Sequence, residues 1–338
     1  MGSIGKTIED LNRYRQQWLH ALPGGGEGAP VSLAPIDALR PEAHLDEVAD
    51  FGENPGNLRL LAYVPERLPA KPPLVVVLHG CGQTAAGYDI GTGWSQLAAA
   101  RGFILCLPEQ RSGNNPNTCF NWFQERDTSR DLGEAGSIRA MVEYLAVTHG
   151  VDRARIFVTG LSAGGAMAAT LLATYPDVFN AGAVIAGLPF RVATSMGEAF
   201  DAMTRGDRRS GAQAAAAVRA ASPHEGPWPR LSVWHGTADS TVTHDNARAL
   251  VRQWRHLNNV RAAPSREEMV SGQRRRIWVD ATGREVIEEY VIDGLGHGAP
   301  LMASALGQTG PYLLEAGISS TRHIAEFWGL LPVRGVPA

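Results

Sequence analysis

The residues in this chain best placed for covalent chemistry are Gly160-Leu161-Ser162-Ala163-Gly164, a serine set between glycines. Arg155-Ile156-Phe157-Val158-Thr159 just before it is short, apolar and β-branched, which predicts a buried strand. From Ala163 to Tyr175 the chain is rich in Ala, Leu and Met, which predicts a helix stopping at Pro176. Strand, G-x-S-x-G, helix is the setting in which a sharp turn exposes a serine hydroxyl as a nucleophile. Glycines are needed because a side chain in so tight a turn would strike the neighbouring strand or helix. At the helix N-terminus, free backbone N–H groups are available to hold an oxyanion.

A nucleophilic serine needs a base and a carboxylate, and the chain supplies both downstream in the order Ser, acid, His. Leu231-Ser232-Val233-Trp234-His235-Gly236-Thr237-Ala238-Asp239 is an apolar strand leaving into a loop that carries an aspartate. Tyr290-Val291-Ile292-Asp293-Gly294-Leu295-Gly296-His297-Gly298 is a second strand, with a glycine-rich loop carrying a histidine. Each candidate lies past the carboxyl end of a strand, where open parallel sheets place their sites. Asp245 and Asp293 rival Asp239. Asp245 stands beside Thr243, His244 and Asn246 at an expected helix start and reads as an N-cap. Asp293 is too near His297 in sequence to approach it from a separate strand. Asp239 on its own would pass for a turn aspartate, and His297 for a turn histidine. His79 and His235 end strands and would line the site or brace its loops, but neither follows the acid in chain order.

Leu74-Val75-Val76-Val77-Leu78 predicts a buried parallel strand opening into His79-Gly80-Cys81-Gly82-Gln83. That loop is placed to give one oxyanion donor, assigned to the Cys81 N–H with Gly82 as the fallback. The other donor is the N–H of Ala163, the residue after the nucleophile. Together these residues describe ester or acyl transfer in two steps. His297 takes the Ser162 proton and returns it to the departing alkoxide, Asp239 holds the imidazole, and water repeats the sequence on the acyl-enzyme. Activity then falls on the acid side as the imidazole protonates.

The elements that must position these residues alternate. Strands are predicted at 58–64, 74–79, 103–108, 155–160, 183–187 and 231–235. Helices are predicted near 94–101, 134–149, 163–175, 245–257 and 319–328, with a helical stretch from about 197 to 221 and a hairpin over 275–292 turning at Ala281-Thr282-Gly283. Such alternation argues a doubly wound, mostly parallel α/β sheet. The alanine-rich stretch 190–229, bounded by prolines, reads as a small helical cap-like insertion. Asn121-Trp122-Phe123 puts aromatics on a loop, so Trp122 is a candidate pocket wall, with Tyr88 and Trp94 as weaker candidates. Membership of the core is the alternative for Trp122.

Several of these stretches together resemble the polyhydroxybutyrate-depolymerase family of esterases. They are His79-Gly80-Cys81, Gly91-Thr92-Gly93-Trp94, Cys119-Phe120-Asn121-Trp122-Phe123, Gly160-Leu161-Ser162-Ala163-Gly164-Gly165 and Trp234-His235-Gly236-Thr237-Ala238-Asp239. Asn54-Pro55-Gly56 ahead of Tyr63-Val64-Pro65, and Gly296-His297-Gly298-Ala299-Pro300, belong to the same pattern. The resemblance runs from about residue 50 to the end. It implies an α/β-hydrolase fold, no cofactor and hydrolysis of short-chain hydroxyalkanoate or related carboxylic esters. It also implies Ser162, Asp239 and His297 as triad, with Cys81 and Ala163 as oxyanion donors. Aryl or carbohydrate esters, as cleaved by feruloyl or acetylxylan esterases of similar sequence, are the alternative substrates. A catalytically silent hydrolase-fold binding protein is the alternative from another class. Where relatives often carry a cysteine after Ala186-Gly187-Leu188-Pro189, this chain has Phe190-Arg191-Val192-Ala193.

At 338 residues with a net charge of −3, the chain suits one catalytic domain over 51–338 with an appendage over 1–50. That charge gives no electrostatic case for nucleic acid or an anionic membrane, so the expected partner is a small or polymeric ester. Arg274-Arg275-Arg276, the one basic run, reads as the solvated flank of a hairpin. Ile8, Leu11, Trp18, Leu19 and Leu22 fall near helical spacing and predict an amphipathic helix ended by Gly24-Gly25-Gly26. No continuous apolar run marks residues 1–23 as a secretion signal. The expectation is therefore a cytoplasmic protein, or a secreted or periplasmic one if the chain is a piece of a longer protein. Of three cysteines, Cys106 falls in an apolar strand and reads as a buried thiol. Cys81 and Cys119 lie on loops near the site and either pair or stay reduced. No metal site is expected.

Overall fold

The computed structural model describes residues 44–331, so the amphipathic helix expected near the N-terminus lies outside the described residues. The strands are β1 (Asp46–Val48), β2 (Arg59–Tyr63), β3 (Leu74–Leu78), β4 (Ile104–Glu109), β5 (Ile156–Leu161), β6 (Ala181–Ile185), β7 (Arg230–Gly236), β8 (Arg266–Val270), β9 (Gln273–Val279), β10 (Glu285–Ile292), β11 (Ala299–Leu301) and β12 (Leu313–Glu315). The helices are α1 (Ala85–Thr92), α2 (Trp94–Arg101), α3 (Gly133–His149), α4 (Ala163–Thr174), α5 (Met196–Arg205), α6 (Gly211–Arg219), α7 (Asp245–Asn258) and α8 (Ser320–Phe327). Ten strands form one sheet in the order β1-β2-β4-β3-β5-β6-β7-β10-β9-β8. Its centre, from β4 to β10, is parallel, and both flanks are antiparallel. β11 and β12 form a separate parallel pair.

This is the doubly wound α/β arrangement expected. Along β3, Leu74, Val76 and Leu78 pack into a core with α3, α4 and α7, whereas Val75 and Val77 face a second core with α1, α2 and α8. Period-two alternation between two covered faces is why the strand is apolar throughout. Each such valine or leucine stabilises the fold by roughly 1.5–3 kcal/mol. The catalytic sheet begins at Asp46, ahead of the boundary expected at residue 50, because β1 pairs with β2.

Stretch 190–229 holds α5 and α6, which have different neighbours. Ala199, Ala202 and Met203 of α5 pack beside Trp122 and Ala163. Ala215 and Val218 of α6 join the core with Leu250 and Trp254 of α7. Gln253 ties this region down by donating to the Phe190 and Ala214 carbonyls.

The basic run differs from expectation. Arg275 and Arg276 are mostly buried and pair with the buried carboxylates of Glu288 and Glu289 across the β9–β10 ladder. Asp245 also differs: it is the first residue of α7 and pairs with Arg248, and His244 occupies the cap position.

Helix α4 approaches the carboxyl end of β3 so closely that a Cβ on Gly164 would lie 2.5 Å from the carbonyl oxygens of Leu78 and His79. On Gly160 it would lie 2.3 Å from the Gly164 oxygen. Gly164→Ala is therefore expected to destabilise the protein by at least about 1–3 kcal/mol in chemical denaturation, because backbone on both sides must move. Wild-type stability in that variant would contradict the packing.

Candidate active site

Ser162 sits between β5 and α4 with φ 56° and ψ −117°, a conformation that costs energy for a residue with a side chain. Its N–H donates to the Ile185 carbonyl at 2.9 Å, which anchors the turn to the neighbouring strand. Ser162 directly follows the last residue of β5, at the carboxyl end of the strand. It lines a small cleft there with Gly80, Cys81, Leu161, Thr241, His297 and Tyr312.

His297, on the loop after β10, has Nδ1 2.8 Å from Asp239 Oδ2. Asp239 is an obligate acceptor when ionised, so Nδ1 carries the proton and Nε2 is left as the basic nitrogen. The other oxygen of Asp239, Oδ1, accepts the N–H groups of Thr241 and Val242, each at 2.9 Å. His235, at the end of β7, adds its Nε2 at 3.1 Å from Asp239 Oδ2 while lying 2.8 Å from the Val242 carbonyl. Burial pushes the Asp239 carboxyl up, but the hydrogen bonds and charge of His235 and His297 outweigh it and hold the group well below the usual carboxylate range. Asp239 therefore stays ionised wherever an imidazole base works.

The rival acids stand elsewhere. Asp293 is exposed and accepts from Thr237 Oγ1, and Asp245 holds Arg248.

On the other side of Ser162, the Gly82 N–H donates to the Asn117 carbonyl at 2.8 Å, so the fallback oxyanion donor is already engaged. Cys81 lines the cleft beside Ser162. Ala163 opens α4, where the first N–H groups have no carbonyl of their own helix to bond. Cys81 and Cys119 form a disulfide with Cα atoms 4.2 Å apart, which ties the β3 loop to the segment before Trp122. That segment is held from below by Glu134 at the start of α3. Its carboxylate accepts the Asn121 main-chain and side-chain N–H groups at 2.8 Å each, as well as the Gln110 amide.

The aromatic candidates do not form the cleft wall. Tyr88 and Trp94 are fully buried, because α1 and α2 turn their apolar faces into the sheet core. Trp94 stacks on Trp328 at 5.7 Å. Trp122 is buried in a hydrophobic cluster that includes Cys119, Phe123, Ala163 and Leu188, and it is not among the residues lining the cleft. Tyr312, which the sequence reading missed, is the aromatic that reaches the cleft. It has φ 61°, and its ring is 5.9 Å from that of His297. Its only local signal is the Gly310-Pro311 turn before it. Thr241 was also missed, although it lies two residues past Asp239.

A cavity of about 500 Å³ between the β8–β10 ribbon and α8 is lined by Arg266, Arg275, Arg322, Glu285 and Glu326. Those charges pair with one another or with adjoining carboxylates, and Ser162 is not part of the cavity.

The family model for esterase PHB depolymerase matches residues 60–275. The chain belongs to this family. It is 42% identical over 292 residues to poly(3-hydroxyalkanoate) depolymerase C of Paucimonas lemoignei, covering 85% of this chain and 70% of that one. It is 33% identical over 266 residues to an acetylxylan esterase of Coprinopsis cinerea, covering 77% of this chain and 70% of the other. With feruloyl esterase B of Talaromyces stipitatus it is 33% identical over 277 residues, covering 78% and 75%. Among solved structures, acetyl xylan esterase from Aspergillus awamori superposes with a TM-score of 0.73 at 25% identity, over 85% of this chain and all of that one. As a member of this esterase family, the chain has the α/β-hydrolase fold and is a serine hydrolase of carboxylic esters.

Asp239→Asn is expected to lower kcat on p-nitrophenyl acetate by about 10³–10⁴-fold with little change in KM, because an amide no longer fixes the Nδ1–H tautomer of His297. A loss below tenfold in the folded variant would exclude Asp239 as the acid.

Proposed function

We propose that the chain hydrolyses short-chain hydroxyalkanoate esters of the 3-hydroxybutyrate type, as oligomers or polymer, through an acyl-enzyme on Ser162. The observation that carries the substrate class is the 42% identity to a poly(3-hydroxyalkanoate) depolymerase, against 33% to the acetylxylan and feruloyl esterases.

In this reading Ser162 Oγ attacks the ester carbonyl as its proton passes to His297 Nε2. The C=O electron pair moves onto oxygen, where the N–H groups of Cys81 and Ala163 meet it. Collapse breaks the C–O bond to the alcohol, which leaves with the proton from His297. Water then attacks the acyl-enzyme, giving its proton to His297, and the acid and free Ser162 are released. Asp239 stabilises the imidazolium at each stage. Preorganised donors at the developing oxyanion are worth about 2.7–4 kcal/mol each in enzymes of this mechanism. The acyl or alcohol portion lies against Tyr312 and Leu161, which line the cleft with Ser162 and His297. The Cys81–Cys119 disulfide favours an oxidising compartment as the place of work.

The test is hydrolysis of 3-hydroxybutyrate oligomers, p-nitrophenyl esters from C2 to C8, acetylated xylan and methyl ferulate by wild type and Ser162→Ala. The expected result is a kcat/KM highest for hydroxybutyrate oligomers and abolished in the variant. Preference for ferulate or acetylated xylan would contradict the substrate class. Hydrolysis persisting in Ser162→Ala would contradict the mechanism.

A further inference from the structure

Deacylation asks more of the site than acylation, because its nucleophile is a free water that must be held as well as deprotonated. In the acyl-enzyme the water oxygen faces the acyl carbon, and one O–H points at His297 Nε2. The second O–H needs an acceptor of its own, or the water loses a hydrogen bond on leaving bulk solvent.

The cleft offers few acceptors for it. Of its lining side chains, Leu161 is apolar and Cys81 is in the disulfide. Gly80 has no side chain, and its carbonyl already lies 2.8 Å from His79 Nδ1. Ser162 carries the acyl group and His297 takes the first proton. Thr241 and Tyr312 remain, and Tyr312 is only half-buried. Thr241 is buried, with 5% exposure, and its Oγ1 has no hydrogen-bond partner among the described residues. The buried hydroxyls of Thr92, Thr170, Thr174 and Thr321, by contrast, donate to main-chain carbonyls. Thr159 shares the lack but is not a cleft residue. An interior hydroxyl left unpaired is destabilising, and beside a reacting centre it calls for a partner that arrives with the reaction.

The backbone at this position is fixed from several sides. The N–H groups of Thr241 and Val242 both donate to Asp239 Oδ1 at 2.9 Å. The Val242 carbonyl lies 2.8 Å from His235 Nε2, and the Val242 side chain packs in the cluster that holds Trp122 and Ala163. Thr241 is thus tied to the same carboxylate that holds His297.

We propose that Thr241 holds the hydrolytic water: its Oγ1 accepts the water O–H that does not face His297. The proposal rests on the reading of Ser162 as the acyl carrier. The water oxygen bonds to the acyl carbon as one proton passes to His297 Nε2 and the C=O electron pair moves onto oxygen. The other O–H stays on the new acid group, donating to Thr241. Collapse re-forms the C=O and breaks the bond to Ser162 Oγ, which recovers the proton from His297. Methanol distinguishes this contact from others. It can give its one hydroxyl proton to His297, but it has a methyl group where water has a second O–H. The choice of the acyl-enzyme between water and methanol therefore reads the Thr241 contact, whichever step limits turnover.

The test uses p-nitrophenyl butyrate at one fixed methanol concentration, with butyrate and methyl butyrate quantified for wild type, Thr241→Val and Thr241→Ser. In Thr241→Val the ratio of butyrate to methyl butyrate is expected to fall about 5–10-fold, the worth of one hydrogen bond. In Thr241→Ser it should stay within twofold of wild type. The hydroxyl has no partner in the protein to lose, so Thr241→Val should have a Tm no lower than wild type; a hydroxyl kept for structure alone would lower Tm and leave the ratio unmoved. A ratio within twofold of wild type in folded Thr241→Val would overturn the proposal, as would an equal fall in Thr241→Ser. If Thr241→Val does not fold, Thr241→Ala carries the same expected ratio and the same refutation. Failure of the acyl-enzyme reading is distinguished by Ser162→Ala, which would then still form both products.

Discussion

The structure depends on one close approach, that of helix α4 to the carboxyl end of β3. Gly164 brings the helix backbone against the Leu78 and His79 carbonyls with no room for a Cβ. Gly160 and Gly165 allow the same helix to fold back on its own strand. This crossing puts the first turn of α4, with its free N–H groups, beside the loop that follows β3. The candidate nucleophile Ser162 and both candidate oxyanion donors thus come from the ends of two neighbouring parallel strands. The unfavourable backbone angles of Ser162 are the cost of that crossing, and the packed parallel strands around it over-determine the turn.

The candidate acid and base come from farther along the sheet. Asp239 and His297 stand on loops after β7 and β10, which are parallel neighbours, and Asp239 is buried with four polar groups gathered around it. A buried carboxylate is tolerated only when its lone pairs are met, and here the same contacts that meet them aim the imidazole. The loops are braced independently: Ala238 N–H bonds the Leu295 carbonyl, and Thr237 N–H bonds that of Ile292. Gly236 lets the two loops touch, since a Cβ there would lie 2.1 Å from the Leu295 oxygen. Glycine recurs wherever two loops of the site cross.

Much of this arrangement was legible in the residues because it is written locally. Strands β3 and β5, covered on both faces, are nearly continuous apolar runs, and the loops after β5, β7 and β10 carry Ser162, Asp239 and His297. What escaped was set by contacts distant in sequence. Helix α1 was not anticipated because Gly87, Gly91 and Thr92 are poor helix formers, yet Thr84 caps it and Tyr88 buries its ring in the core. Tyr88 and Trp94 looked available to substrate only because the sheet they cover is formed from other strands. Arg275 and Arg276 read as solvated like charges. The β9–β10 register brings them to Glu288 and Glu289, which are more than ten residues away in sequence. Tyr312 reaches His297 through the small β11–β12 pair, which no periodicity announced.

The central claim is that one serine, activated by the imidazole that Asp239 holds, carries the acyl group. Its most direct measurement is labelling with a p-nitrophenyl alkylphosphonate, followed by mass spectrometry of the digested protein and a count of p-nitrophenol released. The account predicts one phosphonyl group per chain, located on Ser162, with one equivalent of p-nitrophenol released and ester hydrolysis lost in step with labelling. Labelling at another residue, or full esterase activity in protein whose Ser162 is completely phosphonylated, would contradict it.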